Sequence, residues 1–246
     1  MSMTVGTGPF GHHPVGKFDF DPPERVLYVE ETPRRVRVAH GGETVVESRH
    51  AKLLFESGSL PVYYFPEEDV RLDLLDEESY RRHDGLPGHV APAWNAMDAW
   101  YEEEEQIFGH ARDPYHRIDV LESSRHVRIS VNGELVAEAR RPLILFETAL
   151  PPRYYLDPVD VRSDLLVPHE KRTRCAYKGV ATHWSAQAGD ALEEALVWSY
   201  PKPTPEVERI AGRLAFYNER VDLEVDGKRD ERPQTQWSPR GWNRTF

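Results

Sequence analysis

The chain holds a single cysteine, Cys175, in 246 residues. It can therefore form no intrachain disulfide and no zinc site of four cysteines from one chain. Long apolar runs are missing as well. No segment approaches the ~20 consecutive apolar residues that span a bilayer. The opening MSMTVGTGPFGHHPVGK lacks the apolar stretch of a secretory signal. A cytoplasmic protein without a membrane partner is the expectation. Positive charge is in deficit: 31 Lys and Arg against 42 Asp and Glu give a net charge of -11. Phosphate backbones reward the opposite sign, so nucleic acid is not an expected partner. No Gly-rich phosphate cradle appears, and no cofactor or metal is expected.

What is present points to a soluble globular chain of short strands. Apolar residues make up 39% and charged residues 30%, and 20 Pro with 16 Gly interrupt the chain often. The main feature is an internal repeat. At a shift of 91 residues, 36–75 lies on 127–166 without a gap, with 19 of 40 positions identical. Glu56 answers Glu147, the pair Tyr63-Tyr64 answers Tyr154-Tyr155, and Asp69, Arg71 and Asp73 answer Asp160, Arg162 and Asp164. Each copy reads as an alternating strand, a Gly-containing hairpin turn (Asn132-Gly133 in the second), a return strand and a more buried third strand. The Tyr pairs read as an exposed edge, and PEEDVR and DPVDVR as short helical turns. Beyond Leu75 and Leu166 a second match, at a shift of 103, predicts 12 extra residues near Ser185–Asp190 of the second copy. The domain reading is a flexible arm (1–22), a first repeat (23–119), a second repeat (120–228) and a C-terminal tail (229–246) that folds back through Trp237 or Trp242. Thr204 is expected to cap a short helix, and the run Glu102–Glu105 to be a solvated acidic edge.

Chemistry concentrates in RCAYKGVATHWS, 174–185. Read as two strand arms bent at Gly179, it places Cys175 with Tyr177 on one face, Thr182 with Trp184 on another, and His183 opposite those two. At the 91 shift Gly179 falls on Gly88, but Lys178 falls on Pro87, Tyr177 on Leu86 and Cys175 on Asp84. The second copy is thus expected to carry the site, and the first to be a degenerate partner. Taken singly, each residue has an ordinary explanation: a turn lysine, a small buried cysteine, core aromatics. The repeated acids and arginines read as loop-fixing pairs, since they persist in both copies. Glu147 could orient Lys178. His12 and His13 read as tail residues, and His83 and His89 as surface loop residues.

The segments CAYKGVATHWS, WSYPKPTPEVERIAGRLAFYNERVDLEVDG and ETALPPRYYLDPVDVRSDLL resemble the domain of unknown function 427 family, closely over 125–228 and more weakly over 34–119. The resemblance implies a mainly β fold, two tandem β-tent-like domains of short antiparallel strands with a few short helices. It implies no activity. A nucleotidyl-transfer label is not supported by these residues: Gly58-Ser59 and Asp69 are present, but Arg71 stands where a second metal-binding Asp is needed, and the second copy has Ala149-Leu150. Other β-tent domains grip small cyclic ligands in aromatic cages.

Three functional readings follow. The first is a binder of an unidentified small molecule in a cleft of the second repeat, using Tyr177, His183, Trp184, Trp198, Tyr200, Tyr154, Tyr155, Arg162 and Glu147, with Lys178 meeting an anionic group. The second is an enzyme using Lys178, with its pKa lowered by burial, as general base or Schiff-base nucleophile, and Cys175 as a cooperating thiol. The third is a structural or homodimeric protein joined through strand edges or the tryptophan-bearing tail.

Overall fold

A computed structural model describes residues 3–239. The chain is mainly β and divides between His116 and Arg117 into two compact units. Unit 1 contains β1 (Leu27–Glu31), β2 (Val36–His40), β3 (Glu43–Ser48), β4 (Lys52–Glu56), β5 (Val62–Pro66), β6 (Tyr80–Arg82), β7 (His89–Pro92), β8 (Ala99–Glu102) and β9 (Glu105–Ile107). Unit 2 contains β10 (Ile118–Glu122), β11 (Val127–Val131), β12 (Glu134–Ala139), β13 (Leu143–Glu147), β14 (Arg153–Leu156), β15 (Leu166–Cys175), β16 (Gly179–Ala188), β17 (Ala191–Ser199), β18 (Leu214–Phe216), β19 (Asp222–Val225) and β20 (Lys228–Arg229).

Each unit pairs a larger antiparallel sheet with a four-stranded one. In unit 1 the orders are β1-β4-β5-β7-β6 and β3-β2-β8-β9. In unit 2 they are β10-β13-β14-β18-β17-β16-β15 and β12-β11-β19-β20. Local sequence explains the elements. In β11, VRISV alternates buried and half-buried residues, as a one-sided strand requires. The β11–β12 turn uses Asn132 and Gly133, both at positive φ, the chemistry of a two-residue hairpin loop. The repeat is visible in fine detail. The isolated bridges Val46–Val70 and Ala137–Val161 occupy matching places. Arg71 donates two hydrogen bonds to Asp73, and Arg162 two to Asp164, so these exposed pairs fix equivalent turns.

Several expectations need correction. The Tyr-pair strands are not exposed edges. β5 lies between β4 and β7, β14 lies between β13 and β18, and all four tyrosines are buried. Burying such rings contributes roughly 1.5–3 kcal/mol each, more than an edge position would return. The N-terminal stretch is not loose throughout. Thr4 is fully buried, its backbone carbonyl accepts from the Gly58 N–H at 2.7 Å, and its hydroxyl donates to the Ser59 carbonyl. Glu102 is not part of a solvated edge. It is buried and accepts from the Tyr63 hydroxyl at 2.9 Å and the Arg34 guanidinium at 3.0 Å. Thr204 caps no helix with its side chain, and the segment it precedes is a short 3-10 stretch, Pro205–Ile210.

The length difference between the copies is larger than 12 and begins well before Ser185, with the whole β15–β16 hairpin. Val36 pairs with Glu102, 66 residues later, whereas Val127 pairs with Val225, 98 later, so the second copy is 32 residues longer. β7 pairs with β5 and β6 as β18 pairs with β14 and β17. β6–β7 therefore correspond to β17–β18, and Gly88 (φ 71°) to Gly212 (φ 69°) rather than to Gly179. The β15–β16 hairpin has no counterpart among the described residues of unit 1. Unit 1 has not lost the lysine-bearing turn; its sheet ends before it.

Candidate functional site in the second unit

The tip of the β15–β16 hairpin is a three-residue turn, Ala176–Lys178, closed by Gly179. Gly179 has φ +94°, a region glycine alone enters without strain, and a Cβ there would lie 3.2 Å from the Lys202 carbonyl oxygen. Thr204 ties the turn down. Its hydroxyl donates to the Tyr177 carbonyl at 2.7 Å and its N–H to the Lys178 carbonyl at 3.3 Å. Backbone geometry thus turns the Lys178 side chain inward, and the residue is buried.

Its ammonium reaches Glu147, at the end of β13, 2.5 Å from each carboxylate oxygen. Glu147 is also buried. A buried ion pair adds little net stability over a well-packed apolar pair, while stranding one partner costs about 3–5 kcal/mol. Burial alone would depress the lysine, but the Glu147 carboxylate outweighs it, with Cys175 and Tyr155 adding in the same direction. Lys178 is held protonated, well above the usual lysine range. The sequence reasoning that burial lowers its pKa omitted the carboxylate that arrives with it.

Strand register defines what surrounds the pair. His183 opposes Trp198, Trp198 opposes Ala215, and Ala215 opposes Tyr155. Directly opposed residues of antiparallel strands point to the same side, so His183, Trp198 and Tyr155 form one row on one face of the larger sheet. The Trp198 indole N–H donates to the Tyr155 hydroxyl at 3.1 Å, and the rings meet edge to face. Tyr200 lies two residues beyond Trp198 on the same face and is buried. Burial pushes the Tyr155 phenol up to about 12. Burial, with Tyr155, Cys175 and Glu147, pushes Tyr200 well above its usual range. His183 is 2% exposed, and apart from the Lys171 backbone, which acts on the ring, its nitrogens meet no hydrogen-bond partner among the described residues. Burial first, then the charges of Lys171, His169 and Arg172, lower its pKa to about 4.

Beside this row sits a second polar group that the sequence reading missed. The Arg153 guanidinium donates to both oxygens of Glu219, at 2.8 and 2.6 Å. It lies 5.6 Å from the Trp198 ring centre and 5.4 Å from that of Trp237. Thr235 donates its hydroxyl to Glu219 at 2.5 Å. The C-terminal segment therefore folds onto unit 2 through Thr235 and Trp237; Trp242 lies outside the described residues. Arg153 was detectable, since the first copy has Val62 at the equivalent place in an otherwise shared PxYY stretch.

The expected residues divide into two groups. Lys178, Glu147, Cys175, Tyr155 and Tyr200 share one electrostatic neighbourhood, with Trp198 bonded to Tyr155, and His183 extends the row. The others lie apart. Tyr154, next in sequence to Tyr155, points to the opposite face, where Asp230, Arg125 and Asp226 are its charged neighbours. Trp184, adjacent to His183, is half-buried against the core on that other face. Arg162 is exposed and engaged with Asp164. Tyr177 is half-buried at the hairpin tip, and its backbone carbonyl takes the Thr204 hydrogen bond.

Unit 1 serves as an internal contrast. Glu56, equivalent to Glu147, is half-exposed and ion-paired with Arg25. Register places Arg81 where unit 2 has Trp198. Tyr64 there belongs to a small apolar cluster with Leu54, Leu86 and Ala91. Among the described residues, no group of three or more His, Cys, Asp or Glu side chains is arranged to hold a metal ion. Among the described residues, no helix is long and apolar enough to cross a membrane.

Comparison with known proteins agrees with the duplicated architecture. The model of a family described as a domain of unknown function (DUF427) matches residues 28–90 and 119–227, more than half of the chain. No curated protein matches it.

Proposed function

The chain belongs to the domain of unknown function 427 family, and we propose that its second unit binds a small organic molecule on the sheet face carrying Lys178, Glu147, Tyr155, Trp198 and Tyr200. One observation carries this reading. The scaffold of unit 1 folds without the β15–β16 hairpin, yet unit 2 adds that hairpin and uses it to bury an ion pair beside hydrogen-bonded aromatic rings. A scaffold gains little stability from such a pair, so the pair is better explained by what it presents. Trp198, Tyr155 and Tyr200 supply flat apolar surface with polar edges. The Lys178–Glu147 pair supplies one donor and one acceptor at a fixed spacing.

The geometry does not favour the enzymatic reading. A lysine held protonated by a carboxylate at 2.5 Å is neither a free base nor a free amine for a carbonyl carbon. The tail proposed as a dimer element is engaged within its own unit through Thr235 and Trp237.

The test is a thermal-shift screen of aromatic acids, aromatic amines and cyclic amides against the wild type and against Lys178→Met/Glu147→Met. Compounds that stabilise the wild type and not the double variant are the expected result. Compounds that stabilise both equally would place binding elsewhere.

A further inference from the structure

The hairpin strand β15 carries a bulge. His169 pairs with His183, but the next pair is Arg172 with Thr182, so Glu170 and Lys171 are extra. Arg172 holds the bulge in shape by donating to the carbonyls of His169, Glu170 and Lys171 at 3.0, 3.2 and 2.9 Å. The bulge stands over His183. Lys171 is exposed, and its ammonium lies 6.0 Å from the centre of the Tyr217 ring. Tyr217 packs 4.6 Å from Trp198, the residue opposite His183. A path therefore leads from an exposed ammonium, along two aromatic rings, to a buried imidazole that the Lys171 backbone reaches and that no other described group meets in a hydrogen bond.

Two features of this path call for an anion. A buried ring nitrogen without a hydrogen bond is destabilising, and an acceptor placed against the side of His183 that the Lys171 backbone does not meet would recover that loss. The side chains whose charge acts on the imidazole are Lys171, His169 and Arg172, all of one sign, and the Arg172 guanidinium is spent on backbone carbonyls. A monoanion is less costly to bury than a dianion, and the flanking Trp198 and Tyr217 suit a flat ring.

We propose that the β15 bulge closes over a carboxylate subsite, in which Lys171 and His183 hold the carboxylate of an aromatic monoanion while its ring lies against the packed Trp198–Tyr217 pair. The proposal builds on the reading of this sheet face as a ligand site and names the ligand class. A bound carboxylate stabilises the imidazolium, so binding is coupled to proton uptake by His183.

The experiment follows the assigned imidazole resonance of His183 by NMR in the full chain, titrated with pH in the presence and absence of benzoate. Inorganic phosphate is the control anion. Benzoate is expected to raise the His183 midpoint by a pH unit or more. Lys171→Met, a change at an exposed residue, is expected to weaken benzoate at least tenfold. A midpoint that benzoate leaves unmoved means the bulge covers buried water only, and overturns the proposal. So does an equal shift in Lys171→Met, or a shift produced by phosphate alone. Benzoate binding that survives Lys178→Met/Glu147→Met but not Lys171→Met would keep this subsite and remove the ion pair from the ligand's contacts. A compound sensitive to the ion-pair variant and indifferent to Lys171→Met would do the reverse.

Discussion

Replacing Lys178 by Met leaves the Glu147 carboxylate buried with its ammonium gone. The expected cost is about 3–5 kcal/mol, a large share of the ~5–15 kcal/mol that holds a domain folded. For a unit of this size, each kcal/mol moves the melting temperature by about 2–5 °C, so a fall of roughly 10–20 °C is expected. Glu147→Met should cost a similar amount near neutral pH but respond differently to pH. Without the carboxylate, burial lowers the Lys178 pKa below its unfolded value of ~10.4. That variant should regain stability as pH rises toward 10. In the wild type the sign is opposite. The folded pKa is raised, so while Glu147 stays ionised the lysine's contribution is complete up to ~10.4 and is lost as pH rises beyond it. Lys178→Met/Glu147→Met removes both charges and should return to within about 1–2 kcal/mol of the wild type. Urea unfolding followed by circular dichroism and tryptophan fluorescence reads all four proteins. A Lys178→Met cost under about 1 kcal/mol would refute the burial of the pair. A double variant as unstable as either single one would make the pair a structural requirement and remove the argument for function.

Other expectations follow from the same geometry. His183, lowered to about 4 in the fold against an ordinary value near 6.5, should cost unit 2 up to about 3 kcal/mol as pH falls from 6.5 to 4; unfolding across that range, with His183→Gln showing a flatter profile, is the check. Gly179→Ala combines positive φ with a 3.2 Å approach to the Lys202 carbonyl, so a loss of about 1–3 kcal/mol is expected in chemical denaturation. Gly189→Ala, with open space around it, should lose less. Thr235→Val removes a hydrogen bond to buried Glu219 and should cost about 1–3 kcal/mol, read as weaker protection of that segment in hydrogen exchange. Borohydride with a panel of aldehydes at neutral pH should give no adduct at Lys178 by peptide mass mapping; a stoichiometric adduct there would revive the Schiff-base reading.

The repeat was legible because shared turn chemistry leaves identical residues in register: Arg71 and Arg162 make the same pairs because the turns they fix are the same. Glu147 could be suspected from its place after a buried strand, and Lys178 from the turn that carries it. The shift-103 match was misleading, because short apolar and charged patterns recur by chance, and only hydrogen-bond register shows that β8 answers β19. The pKa direction of Lys178 could not be read, since it depends on a contact between residues 31 apart. The role of Arg153 in the site is not legible, because its partners Glu219 and Trp237 lie 66 and 84 residues away in sequence. Tyr154 and Trp184 have the aromatic character of wall residues, but strand alternation turns them to the face away from Tyr155 and His183.

A crystal soaked with a cocktail of flat aromatic acids tests the central claim most directly. Density is expected on the unit 2 sheet face, against Trp198 and Tyr155 and within hydrogen-bond reach of the Lys178–Glu147 pair or the His183 imidazole. Density confined to the equivalent face of unit 1, where Arg81 replaces the tryptophan and the described residues form no lysine-bearing hairpin, would contradict it.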